Sequence, residues 1–151
     1  MRIHLGSDHA GFALKERVKA YMQAEGHAVT DVGTFDEGSV DYPVYAHAVA
    51  RAVADGEADF GVLVCGTGLG MAIAANKVRG VRAAQATSPE FARMARLHND
   101  ANVVALAGRY TDAATAESIL DAFLGTAFEG GRHQRRVDMM DAIGHDETEG
   151  E

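Results

Sequence analysis

The stretch Phe60-Gly-Val-Leu-Val-Cys65-Gly-Thr-Gly-Leu-Gly70 decides the fold of this 151-residue chain. Its first part carries no charge and predicts a strand that is covered on both faces, as in a parallel sheet. The glycines that follow predict a tight turn, after which Met71–Lys77 is expected to form a helix. A buried strand that turns directly into a helix is the basic unit of an α/β fold.

The same alternation of short apolar runs and helical patterns extends over the rest of the chain. We expect strands at 2–7, 27–32, 60–65, 81–86 and 102–107. We expect helices at about 11–25, from Pro43 onward, and at about 71–77, 88–97, 112–124 and 133–143. Ser88 is the predicted N-cap of the helix 88–97, and the predicted buried face of the helix 112–124 consists of Ala116, Ile119, Leu120 and Phe123. One α/β domain with a doubly wound parallel sheet is therefore predicted over residues 1–144, and the acidic tail 145–151 is predicted to be disordered.

Composition and charge exclude several classes of function. The chain has 14 Lys and Arg residues against 22 Asp and Glu residues, which gives a formal net charge of -8. Such a field repels polyanions and argues against nucleic-acid or anionic-membrane binding. No apolar run is long enough for a membrane span, and the first residues contain no apolar signal-peptide core, so a cytoplasmic location is expected. The single cysteine, Cys65, cannot form an internal disulfide.

Polar residues are concentrated after the predicted strands and near the ends of two helices. Ligands of open parallel sheets bind beyond the carboxyl ends of the strands, so these residues are the candidates for chemistry. They are Asp8, His9, Cys65, His98, Asn99, Arg109, Arg132, Arg135 and Arg136.

The glycine loop 66–70 can bring its backbone close to a ligand and aim N–H groups at an anion. A phosphate or an enolate oxygen would fit there. The loop is not a dinucleotide-binding fingerprint, because Met71 replaces the third glycine and no ribose-binding acid follows the fourth strand. The alternative is that the glycines serve only a tight turn.

Cys65 and His98 are the candidates for proton transfer. A thiol that ends a strand and precedes a helix N-terminus lies where the thiolate form is favoured, so Cys65 can abstract a proton or act as a nucleophile. His98, near a helix end, can act as a general acid or base. The alternatives are that Cys65 is an inert core residue and that His98 is a cation at the negative end of a helix dipole.

Arg132 and Arg136 share one face if the last helix has begun by residue 132. Converging with Arg109, they would suit a phosphate dianion. The alternative is a solvated basic patch that balances the acidic tail. No His, Cys or Asp spacing in the chain resembles a closed zinc site, and no metal is expected.

Six motifs make the chain similar to a known family. They are Gly6-Ser-Asp-His-Ala-Gly-Phe12, Asp41-Tyr-Pro43, Cys65-Gly-Thr-Gly-Leu-Gly70, Ala74-Ala-Asn-Lys77, His98-Asn-Asp-Ala-Asn-Val103 and Gly130-Gly-Arg-His-Gln-Arg-Arg136. In this order they resemble the type B ribose-5-phosphate isomerases, within a larger group that includes galactose-6-phosphate isomerase subunits. The resemblance runs from residue 6 to residue 136 and covers almost the whole chain.

The resemblance implies a flavodoxin-like five-stranded parallel sheet and a homodimer or homotetramer with active sites at the subunit interface. It also implies interconversion of ribose 5-phosphate and ribulose 5-phosphate without a metal or cofactor. Cys65 matches the family's proton-abstracting cysteine, and His98 matches the histidine that opens the sugar ring. Some relatives use a glutamate at the position of Met71. Met71 cannot serve in that way, which leaves Cys65 as the base.

The resemblance also assigns contacts with the substrate. Positions that contact the sugar or its developing oxyanion match Asp8, His9, Gly66, Thr67, Gly68, Leu69, Gly70 and Asn99. Positions of the phosphate and substrate clamp match Arg109, Arg132 and Arg136. Further candidates for lining the pocket are Tyr42, Leu69 and Met71.

Two alternatives remain open from the sequence. The same chemistry could act on galactose 6-phosphate, allose 6-phosphate or a tetrose phosphate, because no pocket residue encodes the number of carbons. A protein of another class, a non-catalytic phosphosugar-binding or nucleotide-binding module, would hold Cys65 as an inert core residue.

Overall fold

The computed structural model describes residues 1–143, so residue 144 and the predicted tail 145–151 lie outside the described residues. The strands are β1 (Arg2–Ser7), β2 (Ala28–Asp31), β3 (Phe60–Cys65), β4 (Ala83–Gln85) and β5 (Val103–Ala107). The helices are α1 (Phe12–Ala24), α2 (Tyr42–Ala54), α3 (Leu69–Ala75), α4 (Pro89–Asn99), α5 (Ala113–Gly125) and α6 (Arg132–Ala142). Every predicted element is present, and none of these helices is long and apolar enough to cross a membrane.

The strands form one parallel sheet in the order β2-β1-β3-β5-β4, which confirms the predicted doubly wound α/β class. Relative to the flavodoxin order, the last two strands are exchanged, so that β5 lies beside β3 and β4 forms the edge. The direction of winding changes between β1 and β3. Open α/β sheets bind ligands at this switch point, beyond the carboxyl ends of the strands.

Helices cover both faces of the sheet and bury the alternate residues of each strand. Helices α1, α4 and α5 pack on the face that carries Val62 and Val64. Helices α2 and α3 pack on the opposite face, which carries Leu63 and Cys65. The buried face predicted for α5 is confirmed, and its members are Ala116, Ile119, Leu120 and Phe123.

Helix α4 carries candidate residues away from the carboxyl ends of the strands. It begins at the predicted N-cap Ser88, whose hydroxyl accepts the N–H of Phe91 at 3.3 Å. Because α4 connects two parallel strands, it runs back across the sheet and ends where β5 begins. The N–H of Gly61, at the start of β3, donates to the carbonyl of Asn102 at 2.9 Å, which places residues 98–102 at the amino ends of the strands.

A buried ion pair fixes the loop that follows β2. The ammonium of Lys15 is fully buried and donates to both carboxylate oxygens of Asp31, at 2.8 and 2.6 Å. Asp31 also accepts the N–H of Gly33 at 2.9 Å. The carbonyl of Gly33 in turn accepts the N–H of Ser7 at 2.7 Å, so the pair holds the loop 33–41 beside the carboxyl end of β1.

Candidate active site

The carboxyl ends of β1, β3 and β5 carry one group of predicted site residues, which is termed the carboxyl-edge cluster. Its members come from the strand ends, the glycine loop and the start of α2. They are Asp8, His9, Tyr42, Cys65, Gly66, Thr67, Gly68, Leu69, Gly70 and Arg109.

Cys65 is the last residue of β3, and its side chain is held by the backbone that follows it. The residue is buried, and the N–H of Gly68 donates to its Sγ at 3.2 Å. Gly68 has φ +77°, a left-handed conformation that side-chain-bearing residues rarely adopt, and a Cβ there would lie 3.1 Å from the carbonyl of Leu106. The glycine is therefore needed to turn its N–H onto the sulfur.

The glycine loop also contacts the side chain of Tyr42. A Cβ at Gly70 would lie 2.7 Å from the Tyr42 ring, so the ring packs directly against the backbone of the loop. Tyr42 and Leu69 stay exposed beside it, as expected for residues that line a pocket. Met71 does not. It is fully buried between the sheet and α2, because α3 turns it inward, so the prediction that it lines the pocket is wrong.

Asp8 and His9 follow β1 and lie beside the glycine loop across the switch point. The N–H of Asp8 donates to the carbonyl of Val64 at 3.2 Å, and the buried carboxylate of Asp8 accepts the N–H of Gly11 at 3.0 Å. Nδ1 of His9 accepts the N–H of Val40 at 3.2 Å. This bond assigns the proton of the neutral ring to Nε2 and ties His9 to the loop that the Lys15 ion pair anchors.

Arg109 supplies the positive charge of the carboxyl-edge cluster. A Cβ at Gly66 would lie 3.2 Å from its Nη1, so the guanidinium covers the first residue of the glycine loop. The N–H of Arg109 donates to the carbonyl of Gly66 at 3.1 Å, and the N–H of Gly108 donates to the carbonyl of Cys65 at 2.7 Å. These bonds fix the backbone of Arg109 relative to the thiol.

The remaining predicted site residues lie around the end of α4 and the start of α6, in what is termed the amino-edge cluster. Its members are His98, Asn99, Glu129, Arg132, His133 and Arg136. Helix α6 begins at Arg132, so Arg132 and Arg136 lie one turn apart on one face, as predicted. With Arg135 and Met139 they line a cavity of about 490 Å³.

The two histidines of this cluster are stacked. The ring centroids of His98 and His133 are 4.3 Å apart, with 14° between the ring planes. Each Nε2 lies 3.8 Å from Oε2 of Glu129. Burial, followed by the charge of His98, lowers the pKa of His133, and Arg132 and Arg136 act in the same direction.

Arg82 holds the two helices of the amino-edge cluster together. Its Nε donates to the carbonyls of Asn99 and Asp100, at 3.1 and 3.0 Å. Its Nη1 donates to the carboxylate of Asp141 on α6 at 3.0 Å. Buried Arg96 adds a bond from Nη1 to Asp100 at 2.8 Å, so the turn after His98 is fixed by two guanidinium groups.

Within one chain, the two clusters lie at opposite ends of the parallel strands. Cys65 pairs with Ala107 at one end of β3, and Gly61 pairs with Val103 at the other. At about 3.3 Å per residue, these positions are separated by about 13 Å along the strands, and His98 lies beyond the far end. The structure thus brings Cys65 together with Arg109, and His98 together with Arg132 and Arg136, but it does not bring the two groups together within the chain.

Two residues of the amino-edge cluster were not selected from the sequence. They are Glu129 and His133, which lie four positions apart across the Gly130-Gly131 turn. The supporting cations Lys15 and Arg82 were also missed, because Lys and Arg are usually exposed and a sequence does not show when they are buried.

The fold and the two clusters define an α/β protein with a thiol at the switch point of its sheet and arginines in both clusters. The family described as Ribose/Galactose Isomerase matches the chain over residues 3–140. The chain is 48% identical over 142 residues to ribose-5-phosphate isomerase B of Escherichia coli strain K12, covering 94% of this chain and 95% of that protein. It belongs to the ribose/galactose isomerase family, which confirms the resemblance stated above.

Solved structures show the same similarity. A ribose 5-phosphate isomerase from Thermotoga maritima is 53% identical, with a TM-score of 0.93 and coverage of 94% of this chain and 98% of that chain. Ribose-5-phosphate isomerase B from Mycoplasma genitalium, solved with bound ribulose-5-phosphate, is 39% identical, with a TM-score of 0.90 and coverage of 97% of both chains.

Proposed function

We propose that the protein interconverts ribose 5-phosphate and ribulose 5-phosphate, with Cys65 as the base and His98 opening the sugar ring. The observation that carries the proposal is the thiol at the switch point of the sheet, oriented by the Gly68 N–H and flanked by Arg109. This arrangement offers a base, N–H groups and a cation around one small space. Membership of the ribose/galactose isomerase family supports this choice of reaction.

The reaction moves a proton between two adjacent carbons. In its thiolate form, Cys65 removes the proton from C2 of the open-chain aldose, and the electron pair forms an enediolate that places negative charge on O1. The first-turn N–H groups of α3, which have no partner within the helix, would stabilise that charge. The proton then returns to C1, and the hydroxyl proton of O2 passes to O1, which gives the ketose.

The amino-edge cluster supplies the other two requirements of the reaction. A furanose must open before isomerisation, and the exposed imidazole of His98 can move the proton between the ring oxygen and the O1 hydroxyl. The guanidiniums of Arg132 and Arg136 would bind the phosphate, which holds the distal end of the sugar while C2 faces the base.

A complete site then requires two copies of the chain. Cys65 and His98 lie at opposite edges of one sheet, whereas a pentose phosphate must contact both during one reaction. We therefore propose a homodimer in which the amino-edge cluster of one subunit faces the carboxyl-edge cluster of its partner. Exposed apolar side chains near both clusters would contribute to the contact, and they include Val44, Leu69, Ile73, Met139 and Met140.

Mixed dimers test this arrangement directly. The variants Cys65→Ala and His98→Asn are each expected to be inactive alone. Coexpressed in equal amounts, they form mixed dimers with one intact site, and about a quarter of the wild-type activity is expected to return. If every mixture stays as inactive as its parents, the shared site is wrong.

Turnover of a panel of sugar phosphates tests the substrate. We expect ribose 5-phosphate to give a higher kcat/KM than galactose 6-phosphate, allose 6-phosphate and erythrose 4-phosphate. A higher value for a hexose phosphate would keep the chemistry but change the substrate. Binding of these compounds without turnover of any of them would instead make the protein a phosphosugar-binding module.

A further inference from the structure

The amino-edge cluster places His98 beside two further metal-ligating side chains, Glu129 and His133, that have no part in the proposed reaction. One ring nitrogen of His98, one of His133 and a carboxylate oxygen of Glu129 all lie within 4.8 Å of one another, and both Nε2 atoms lie 3.8 Å from Oε2 of Glu129. The three residues come from the end of α4, the Gly130 turn and the first turn of α6. Glu129 is held by its N–H, which donates to the carbonyl of Leu97 at 3.1 Å, so the turn is fixed against α4.

One of these atoms is buried without a hydrogen-bond partner. His133 is 5% exposed, and among residues 1–143 its Nε2 contacts no hydrogen-bonding group. The nearest acidic oxygen is Oε2 of Glu129, at 3.8 Å, which is too long for a hydrogen bond. A buried polar atom of this kind destabilises the protein unless something binds it, and here it faces the carboxylate that His98 also faces.

We propose that His98, Glu129 and His133 form a binding site for Zn²⁺, and that the bound metal inhibits the enzyme by occupying His98. Two imidazoles and a carboxylate are a set of ligands that zinc accepts, with a fourth position left for water. No sequence motif for zinc marks this site, because its ligands come together only when α4 and α6 pack against each other.

The geometry requires a small adjustment when the metal binds. Zinc holds its nitrogen and oxygen ligands at about 2.0–2.2 Å, so the donor atoms must approach by roughly half an ångström or more, and the stacked rings must tilt until both lone pairs face the ion. The side chains of His98 and Glu129 are 40% and 56% exposed and can make this movement.

Two nearby charges limit the affinity. Arg132 and Arg136 on α6 repel a cation, and Glu129 is the single carboxylate among the three ligands. We therefore expect weaker binding than at a site with the same ligands and no arginines. Phosphate bound by the arginines would offset this repulsion.

Inhibition rests on the proposed function, whereas metal binding does not. A zinc ion on Nε2 of His98 removes the lone pair that the ring-opening step needs. Zn²⁺ is therefore expected to inhibit turnover of cyclic ribose 5-phosphate more strongly than turnover of open-chain erythrose 4-phosphate.

Cobalt provides a direct readout of the site, because Co²⁺ bound by nitrogen and oxygen ligands absorbs visible light. The titration uses the full chain with Cys65→Ala, which removes the thiol as a competing ligand. One Co²⁺ per chain is expected, with an absorption band that Zn²⁺ abolishes. In the same background, His133→Phe and Glu129→Gln should each weaken Co²⁺ binding by more than about 100-fold, since loss of even an outer partner of a ligand costs about 10- to 100-fold.

Glu90→Gln is the matched control, because Glu90 is an exposed carboxylate at the other end of α4. It should bind Co²⁺ like its parent, and circular dichroism should show that all variants are folded. Saturable Co²⁺ binding that survives both His133→Phe and Glu129→Gln, or no saturable binding in the parent, would overturn the site. Binding at the site without inhibition would overturn the inhibition and remove His98 from ring opening, while the metal site would stand.

Discussion

The carboxyl-edge and amino-edge clusters are built in different ways. The carboxyl-edge cluster is held by the backbone, since the Gly68 N–H fixes the sulfur of Cys65, which is 5% exposed. The amino-edge cluster is held by side chains, since Arg82 joins its two helices and the ring of His98 is 40% exposed. Backbone geometry gives a base a fixed position, whereas an exposed imidazole on a helix end can extend into a neighbouring subunit.

This difference predicts which substitutions affect chemistry and which affect binding. Changes in the carboxyl-edge cluster should mainly lower kcat, because its groups act on the reacting carbons. Changes in the amino-edge cluster should affect either ring opening or phosphate binding, depending on which residue is replaced.

The largest expected effect is that of Cys65→Ala. Removal of a general base lowers the rate by about 100- to 10,000-fold, and the small change in volume should leave the fold intact. Steady-state turnover of ribose 5-phosphate measures the loss, and calorimetric titration with the same compound should show retained binding. A variant that keeps more than about a tenth of the wild-type turnover would show that Cys65 is not the base.

His98→Asn is expected to separate two steps of the reaction, ring opening and isomerisation. We expect a loss of about 100-fold on cyclic ribose 5-phosphate and a much smaller loss on open-chain erythrose 4-phosphate. The exposed His47 on α2 is the control, and His47→Asn should leave both activities unchanged. Equal losses on the two substrates would place His98 in the isomerisation step instead.

Asp31→Asn tests the support of the carboxyl-edge cluster. The substitution leaves the buried ammonium of Lys15 without its closest partner and should lower the free energy of unfolding by about 3 kcal/mol at neutral pH. Urea denaturation measures this, and Asp55→Asn, which breaks an exposed ion pair with Arg51, should cost less than about 1 kcal/mol. Equal losses in the two variants would contradict the role of the buried pair.

The effect of Asp31→Asn should also depend on pH. Burial alone would raise the pKa of Asp31, but the bonds from Lys15, Lys19 and the Gly33 N–H outweigh it and hold the pKa below its ordinary value of 3.8. Because the folded-state pKa is the lower one, the stabilisation is complete above the ordinary value and is lost as the pH falls through the folded-state pKa. The difference between wild type and variant should therefore shrink in acid.

Arg136→Ala has the smallest expected effect and tests the phosphate clamp. A charge-assisted bond to phosphate contributes about 1.5–3 kcal/mol, so KM should rise by roughly 10- to 150-fold. Part of the loss will fall on kcat if the phosphate positions C2 against the base. Turnover of unphosphorylated ribose should change far less, and equal losses on both substrates would assign Arg136 to the fold or the dimer interface.

The sequence by itself determined the α/β class, the order of the elements and the family. The buried strand Phe60–Cys65 and the glycine loop indicate the class, the alternating patterns along the chain give the order, and the six motifs between residues 6 and 136 give the family. Each of these signals can be seen in the sequence because periodicity and glycine spacing act locally. The Ser88 cap and the buried face of α5 were predicted for the same reason, since each depends on residues within a few positions of one another.

The tertiary structure decided which candidates lie together. Strand order cannot be calculated from local pattern, and only the pairing of β5 with β3 shows that Cys65 and Ala107 end at one edge while His98 lies at the other. Packing of α6 on α4 brought Glu129 and His133 beside His98, and packing of α3 on the sheet removed Met71 from the pocket. These placements depend on contacts between residues far apart in the chain, which a single sequence does not display.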